Sequence, residues 1–250
     1  MNQKTDTLDQ LIPGNFHLWQ AKRGHRYSID AILLARFVGL EKCRQIADLG
    51  TGNGVLPLLL AHLSAVEKIC GFELQPGMVQ RARHNIEING LGKRISIYEG
   101  DVRQMSGLYP GATMDLVVSN PPYRAAASGR IAPDEERALA RHELAGNIAD
   151  FAVAASWLLK PKGRFAVVYL TERLHLLFGA LTRAGIEPKR LRMVHATADS
   201  AARLVLLEGV KAGCAGLQVE KPLILYVGCQ AERRYTEEVE QMYRNVGVEG

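Results

Sequence analysis

Short apolar runs alternate with helix-like segments from residue 45 onward, and this alternation limits the possible folds more than any other feature of the chain. The pattern predicts strands over residues 45–49, 67–73, 95–99, 114–119 and 164–170, and helices over 55–64, 78–89, 145–159 and 173–184. Closing strands are predicted over 192–196, 203–208 and 223–227. Alternating strands and helices build a mostly parallel sheet that is covered by helices on both faces. The sequence therefore predicts an α/β domain over residues 45–250, preceded by an arm over residues 1–44.

The composition is that of an ordinary globular protein, with 47% hydrophobic and 23% charged residues. The longest apolar stretches, such as residues 55–61, are far shorter than the roughly 20 residues that span a bilayer, so no membrane partner is expected. Residues 1–6 lack the charged and then apolar pattern of a secretory signal. We therefore expect a cytoplasmic protein. The cysteines are scattered and form no CxxC pair, which indicates thiols rather than a metal site or a disulfide; they are Cys43, Cys70, Cys214 and Cys229.

The formal net charge of +5 permits a polyanionic partner without requiring one. Positive residues cluster within 22–26, 81–84, 189–192 and 233–234. A basic surface attracts phosphates, but a single cluster of this kind is more often a solvated face of the protein. The charge is therefore only supporting evidence for nucleic-acid binding.

The first strand runs directly into the loop Asp48-Leu-Gly-Thr-Gly-Asn-Gly54. Its glycines at positions 50, 52 and 54 allow a tight turn and a close approach of a ligand to the backbone. A dinucleotide-binding loop has the spacing G-x-G-x-x-G and directs a helix N-terminus at a pyrophosphate, whereas this chain has Val55 after its third glycine and an acid before the loop. Because a carboxylate repels a pyrophosphate but attracts a cation, the loop favours S-adenosylmethionine over NAD.

Two further acids follow the next two predicted strands. Glu73 ends the second strand, 25 residues after Asp48, where it can accept hydrogen bonds from both hydroxyls of a ribose. Asp101 follows the third strand, where it can accept a hydrogen bond from an adenine amino group while Val102 packs on the ring. Each acid alone could be a loop residue. Three acids that follow three successive strands predict one ligand site at one edge of the sheet.

The fourth strand leads to Asn120-Pro121-Pro122-Tyr123 at the same predicted edge. The side-chain oxygen of Asn120 and the carbonyl of Pro121 can accept both hydrogens of a planar amine, and this draws its nitrogen toward tetrahedral geometry. Tyr123 can stack on the planar group, a contact worth about 1–3 kcal/mol per base. These residues contain no nucleophile, so the predicted mechanism is in-line methyl transfer by positioning and oriented dipoles. The alternative is a rigid turn after a buried strand.

These motifs resemble the class I S-adenosylmethionine-dependent methyltransferases that modify amino groups. The segments 26–34, 141–143 and 235–239 resemble, in addition, the bacterial tRNA1(Val) adenine-37 N6-methyltransferase family. The resemblance covers nearly the whole chain. It implies a Rossmann-like fold with a mostly parallel seven-stranded sheet, S-adenosylmethionine as cofactor, and RNA, most simply tRNA, as partner.

The resemblance also implies a role for individual residues. The amine would be held by Asn120, Pro121, Pro122 and Tyr123. The arm would fold over the cofactor, with Tyr27 and Asp30 near its methionine end. The alternative for residues 26–36 is the start of an amphipathic helix, with Asp30 as an acid in its first turn. Residues 124–143 would form a loop over the acceptor pocket, in which His142 either contacts substrate or is solvated. The predicted cofactor contacts are Tyr27, Asp30, Asp48, Gly50, Gly52, Asn53, Glu73, Asp101, Val102 and Asn120.

Four functions are compatible with these residues. The first is N6-methylation of an adenine in RNA, with the base flipped into the pocket. The second is N5-methylation of a glutamine in a translation factor, which is disfavoured because such enzymes usually have a long helical domain before the cofactor loop and only 47 residues precede Asp48 here. The third is DNA adenine N6-methylation, which needs a separate sequence-reading domain. The fourth is a non-enzymatic RNA-binding module, in which the motifs would be degraded. The sequence does not predict an oligomeric state.

Overall fold

The computed structural model describes residues 6–11, 16–21, 28–121, 146–228 and 232–244. Its strands are β1 Asp6–Leu11, β2 Phe16–Ala21, β3 Gln45–Leu49, β4 Lys68–Glu73, β5 Ile95–Glu99, β6 Met114–Ser119, β7 Leu159–Leu170, β8 Ile186–His195, β9 Ala202–Lys211, β10 Gln218–Val219, β11 Leu223–Ile224, β12 Tyr226–Val227 and β13 Arg234–Tyr235. Its α-helices are α1 Ile29–Phe37, α2 Val55–Leu63, α3 Pro76–Ile88, α4 Met105–Leu108, α5 Ile148–Leu158, α6 Leu174–Arg183 and α7 Glu237–Arg244.

The central sheet has the strand order β10-β8-β9-β7-β6-β3-β4-β5, and β11 also pairs with β8. The adjacent strands β5, β4, β3, β6 and β7 run parallel to one another. Strand β9 lies between β7 and β8 and is antiparallel to both. The predicted α/β class with a mostly parallel sheet is therefore confirmed. The described sheet has nine strands rather than seven, because two strands of two residues each, β10 and β11, pair with the outer strand β8.

Helices cover both faces of this sheet, as its alternating side chains require. On one face, α1, α2 and α3 pack on residues such as Ile46 and Val118, and on the other α5 and α6 pack on Leu49 and Phe165. Helix α3 begins with Pro76 in its first turn, where the missing N–H costs nothing. Helix α5 begins with a capping box formed by Asn147 and Asp150.

Two regions differ from the sequence-based expectation. The predicted arm contains a hairpin, in which β1 and β2 pair in antiparallel register from Asp6↔Ala21 to Leu11↔Phe16. The predicted strand 223–227 is interrupted at Leu225, because β11 pairs with β8 whereas β12 pairs with β13. Among the described residues, no helix is both long enough and apolar enough to span a membrane.

Candidate functional site

The glycine-rich loop after β3 adopts a conformation that its glycines permit. Gly50, Gly52 and Gly54 have φ angles of 73°, 57° and 85°, in the left-handed region. A Cβ atom at Gly50 would lie 3.3 Å from Phe151, and one at Gly54 would lie 3.3 Å from Ala82. A Cβ atom at Gly52 would meet no atom of the described residues within 4 Å. The first and third glycines therefore allow close packing of helices, whereas Gly52 borders open space that a ligand can approach.

Strand β4 holds the glycine-rich loop in place. The backbone N–H groups of Gly50 and Thr51 both donate to the carbonyl of Phe72, over 2.9 and 3.0 Å. The carboxylate of Glu73 accepts from the N–H of Gly52 through Oε2 and from the N–H of Gln75 through Oε1, both over 2.9 Å. Each carboxylate oxygen has a further lone pair. Glu73 therefore anchors the loop and can still accept hydrogen bonds from a ligand.

Asp48 is a buried acid with an unsatisfied oxygen. It is 2% exposed, and its Oδ2 has no hydrogen-bond partner within the described part of the chain. Burial raises the pKa of Asp48 to about 7; its interaction with Thr51 opposes the rise and the charge of Glu73 adds to it. An unpaired buried carboxylate costs free energy unless a cation or a donor compensates it. This position therefore fits a positively charged ligand such as a sulfonium or an ammonium group.

Asp101 lies at the same edge of the sheet, since the N–H of Gly100 donates to the carbonyl of Glu73 over 2.9 Å. Its carboxylate is paired with Arg103, whose Nε donates to both oxygens over 2.9 Å and whose backbone N–H donates to Oδ1. Hydrogen bonds from Arg103 hold the pKa of Asp101 below its usual value. Val102, the residue between them, is buried against the α5 side of the sheet. The sequence pattern did not predict Arg103, although its position two residues after Asp101 was the available signal.

The acceptor motif begins beside the glycine-rich loop. Strands β3 and β6 are neighbours, with Leu49 opposite Ser119, and the Ser119 hydroxyl donates to the Leu49 carbonyl over 2.8 Å. Asn120 and the buried Pro121 follow at once. The two motifs are thus brought to the same end of adjacent parallel strands. Pro122, Tyr123, the predicted loop 124–143 and His142 lie outside the described residues.

Two predicted site residues belong to the N-terminal region. Asp30 lies in the first turn of α1, which packs against α2, the helix that follows the glycine-rich loop. Tyr27 lies outside the described residues. The positions of both relative to a cofactor therefore stay predictions.

Asn53 in the glycine-rich loop contacts two residues that the sequence pattern did not single out. Its carbonyl accepts from Nδ2 of Asn85 over 2.9 Å, and its own Nδ2 donates to Oε1 of Gln20 over 3.5 Å. Asn85 belongs to α3 and Gln20 to β2, and both are fully buried. The available signal was the four-residue spacing of Asn85, in α3, and Asn89, directly after α3, because this spacing puts both amides on one side of the helix end.

The basic cluster 189–192 is largely neutralised within the fold. Nε of Arg190 lies 3.3 Å from Glu220, and Nη2 of Arg192 donates to Glu238 over 2.7 Å. Lys189 donates to the carbonyl of Cys214. These cations stabilise contacts between β8 and the C-terminal segments, so this cluster is a weak candidate for a phosphate-binding surface. Among the described residues, no group of three or more histidine, cysteine or acidic side chains is placed to hold a metal ion.

Comparison with known proteins gives concordant results. A family model described as a methyltransferase domain matches residues 40–221. The tRNA1(Val) (adenine(37)-N6)-methyltransferase of Parabacteroides distasonis is 29% identical over 226 residues, which cover 89% of this chain and 91% of that protein. The protein of the same name from Tolumonas auensis is 32% identical over 195 residues, which cover 77% of this chain and 79% of that protein.

Solved structures agree with the fold. A predicted O-methyltransferase from Agrobacterium tumefaciens superposes with a TM-score of 0.68 at 22% identity, covering 86% of this chain and 95% of that one. A SAM-dependent methyltransferase from Aquifex aeolicus superposes with a TM-score of 0.52 at 17% identity, covering 73% of this chain and 89% of that one. At these identities the likeness concerns the fold, and the predicted class I methyltransferase fold is confirmed.

Proposed function

The chain is a methyltransferase that belongs to the tRNA1(Val) (adenine(37)-N6)-methyltransferase family, and we propose that it methylates N6 of adenine 37 in tRNA1(Val). The observation that supports this most directly is the pairing of Leu49 with Ser119. It puts the start of the acceptor motif, Asn120, beside the start of the donor loop, Gly50. A methyl group and an amine held by these two segments would be close neighbours.

S-adenosylmethionine is the methyl donor expected for this fold and family; when bound, it supplies an electrophilic methyl group on a positively charged sulfur. We assign its binding to residues at the carboxyl edge of β3, β4 and β5. The buried Asp48 would compensate the positive charge of the donor, and Glu73 would accept from its ribose hydroxyls while it holds the Gly52 N–H. Asp101 and Val102 receive the adenine ring. The remaining proposed contacts are Tyr27, Asp30, Gly50, Gly52, Asn53 and Asn120.

The acceptor motif orients the amine of the target base. The side-chain oxygen of Asn120 and the backbone carbonyl of Pro121 accept its two hydrogens, so that the nitrogen lone pair points at the methyl group. Pro122 stiffens this turn, and Tyr123 stacks on the base. Fixed acceptors and in-line geometry lower the barrier without a general base, and the proton that the amine loses passes to water.

An unpaired adenine suits this arrangement. Sequence-specific proteins read RNA mainly at loops, where a base can be turned out of its stack at low cost. We propose that residues 1–44 form an arm that folds over the donor and that residues 45–250 form the methyltransferase domain. A cytoplasmic location, where tRNA is available, is part of the same proposal.

Incubation with methyl-labelled donor tests the function. An unmodified tRNA1(Val) transcript is the substrate, and a transcript with guanosine at position 37 is the matched control. We expect label only in N6-methyladenosine from the first transcript. Label in both transcripts would show that adenine 37 is not the methylated nucleotide. A glutamine-containing translation factor and duplex DNA are tested in parallel reactions. Label confined to either of these would reject the RNA assignment.

A further inference from the structure

The N-terminal hairpin is fastened by two asparagine side chains, that of Asn85 in helix α3 and that of Asn89 directly after the end of this helix. Asn85 accepts from the N–H of Trp19 over 2.7 Å and donates to the carbonyl of Trp19 over 3.1 Å. Asn89 accepts from the N–H of His17 over 2.9 Å and donates to its carbonyl over 2.7 Å. A carboxamide that pairs with both groups of one residue imitates a neighbouring strand. Strand β2 is therefore bonded along one edge by β1 and along the other by these two side chains.

Asn85 makes one contact that Asn89 does not make. Its Nδ2 also donates to the carbonyl of Asn53, over 2.9 Å. Asn53 lies between Gly52 and Gly54, whose backbones are in the left-handed region. One buried amide thus connects the hairpin, helix α3 and the middle of the glycine-rich loop.

A second contact joins the hairpin to the glycine-rich loop without helix α3. Gln20 of β2 is fully buried. Its Oε1 accepts from Nδ2 of Asn53 over 3.5 Å, and its Nε2 donates to Asp9 of β1 over 2.8 Å. The carbonyl of Asn53 is therefore bonded to Asn85, which also binds the hairpin. The side chain of Asn53 is bonded to Gln20, which belongs to the hairpin.

The glycine-rich loop needs such anchors because its glycines leave the backbone free to adopt other conformations. The N–H of Gly52 is held from one side by Glu73. The carbonyl of Asn53 is held from the other side by Asn85. Without Asn85 that partly buried carbonyl would lack this donor, which favours movement of the loop toward solvent.

We propose that Asn85 is a positioning residue for methyl-donor binding and that the N-terminal hairpin is thereby a working part of the donor site. The inference rests on the proposed function, since it takes the glycine-rich loop to be the donor-binding loop. The residues involved belong to β1, β2 and α3, and their role is separate from the proposed role of Tyr27 and Asp30. Asn85 contacts neither the donor nor the RNA; it acts through the conformation of Asn53.

The two asparagines provide a matched pair of variants. Asn85→Ala and Asn89→Ala each remove two hydrogen bonds to β2, but only Asn85→Ala also removes the bond to the glycine-rich loop. Binding of S-adenosylmethionine and of S-adenosylhomocysteine is measured by calorimetry on the full chain, together with KM for donor, KM for tRNA and Tm. A merely structural role would lower Tm without separating the two KM values.

We expect Asn85→Ala to raise the donor Kd and donor KM by about tenfold or more, which corresponds to the loss of one well-formed interaction. KM for tRNA should stay within about twofold and the donor Kd of Asn89→Ala within about threefold of wild type. Equal donor affinities in the two variants would overturn the inference. Should Asn85→Ala not fold, Asn85→Ser provides a milder change of the same sign, and a wild-type donor Kd in that variant would overturn it too.

The same experiment separates this inference from the proposed function. Wild-type protein that binds no S-adenosylmethionine would contradict the proposed function itself. Wild-type protein that binds the donor and methylates tRNA, while Asn85→Ala binds the donor equally well, would contradict only the role of Asn85.

Discussion

Oε2 of Glu73 accepts a hydrogen bond of 2.9 Å from the backbone N–H of Gly52. The two residues belong to different strand–loop junctions, and the bond sets the glycine-rich loop against the end of β4. Glu73, which is proposed to bind the ribose, therefore also fixes the conformation of the glycine-rich loop. A change at Glu73 should affect donor binding through both roles.

We expect Glu73→Gln to raise the donor Kd about 10- to 100-fold, because hydrogen bonds to a charged group contribute about 1.5–3 kcal/mol each. The product should still be N6-methyladenosine, since Glu73 has no role in selecting the base. Calorimetric titration with the donor and nucleoside analysis of the product measure the two effects. Glu99→Gln is the control, because Glu99 is the exposed neighbour of Glu73 on β5. A shift of similar size in both variants would contradict the assignment.

Asn120→Ala should lower kcat by roughly 10²–10³-fold, the usual cost of removing one preorganised polar contact to the reacting group. The donor Kd should remain within about threefold of wild type, because several other residues bind the donor. Single-turnover methylation of the tRNA1(Val) transcript measures the chemical step. Asn120→Asp retains an acceptor oxygen and should recover part of the rate. Near-normal turnover by Asn120→Ala would rule out the proposed geometry.

Donor affinity should increase between pH 6 and pH 8. Burial raises the pKa of Asp48 to about 7 from an ordinary value of 3.8, so below pH 7 the donor-free protein holds a proton there. A cation binds the ionised form, and binding must then release that proton. Below the pKa of Asp48, the donor Kd should fall by up to about tenfold for each unit by which the pH rises.

The proton release can be measured by calorimetry in two buffers of different ionisation enthalpy. Asp48→Asn should bind the donor weakly and should release about one proton fewer at pH 6 than wild type does. The stability of the donor-free protein should have the opposite pH dependence. The pKa of Asp48 is higher in the folded than in the unfolded protein, so its contribution to the free energy of unfolding is largest below the unfolded pKa of 3.8. This contribution is lost as the pH rises toward 7. Equal proton release by both proteins would contradict the role of Asp48.

Arg103→Leu should tighten donor binding by about two- to fivefold. The ion pair with Asp101 is partly exposed, since the Arg103 side chain is 45% exposed, and such pairs are weak. An adenine amino group has to compete with Arg103 for the same carboxylate. Arg244→Leu removes an equal charge from an exposed pair with Glu240 and serves as control. Weaker binding by Arg103→Leu would show that Arg103 instead holds Asp101 in its binding position.

Local pattern was enough to predict the main sheet and much of the candidate site. The boundaries of β3, β5 and β6 agree with those predicted from apolar runs. The gathering of Asp48, Glu73 and Asp101 at one edge follows from topology alone, because the carboxyl ends of parallel strands meet there. Their roles and that of the acceptor motif stay proposals to be tested.

Local sequence patterns did not predict the contacts between distant parts of the chain. The hairpin was missed because its short strands are joined to the domain by side-chain amides, Asn85 and Asn89, rather than by a long apolar face. The pairing of Arg190 and Arg192 with acids of the C-terminal third was missed for the same reason.

The sequence by itself determined the fold class, the order of the strands that carry the motifs and the family, since each depends on periodicity or on residues adjacent in the chain. Only the tertiary structure decided which distant polar groups pair: that Glu73 holds Gly52 and that Asn85 holds Asn53. Hydrogen bonds of this kind depend on positions within a few tenths of an ångström. Such positions arise from packing of the whole domain, which no local pattern specifies.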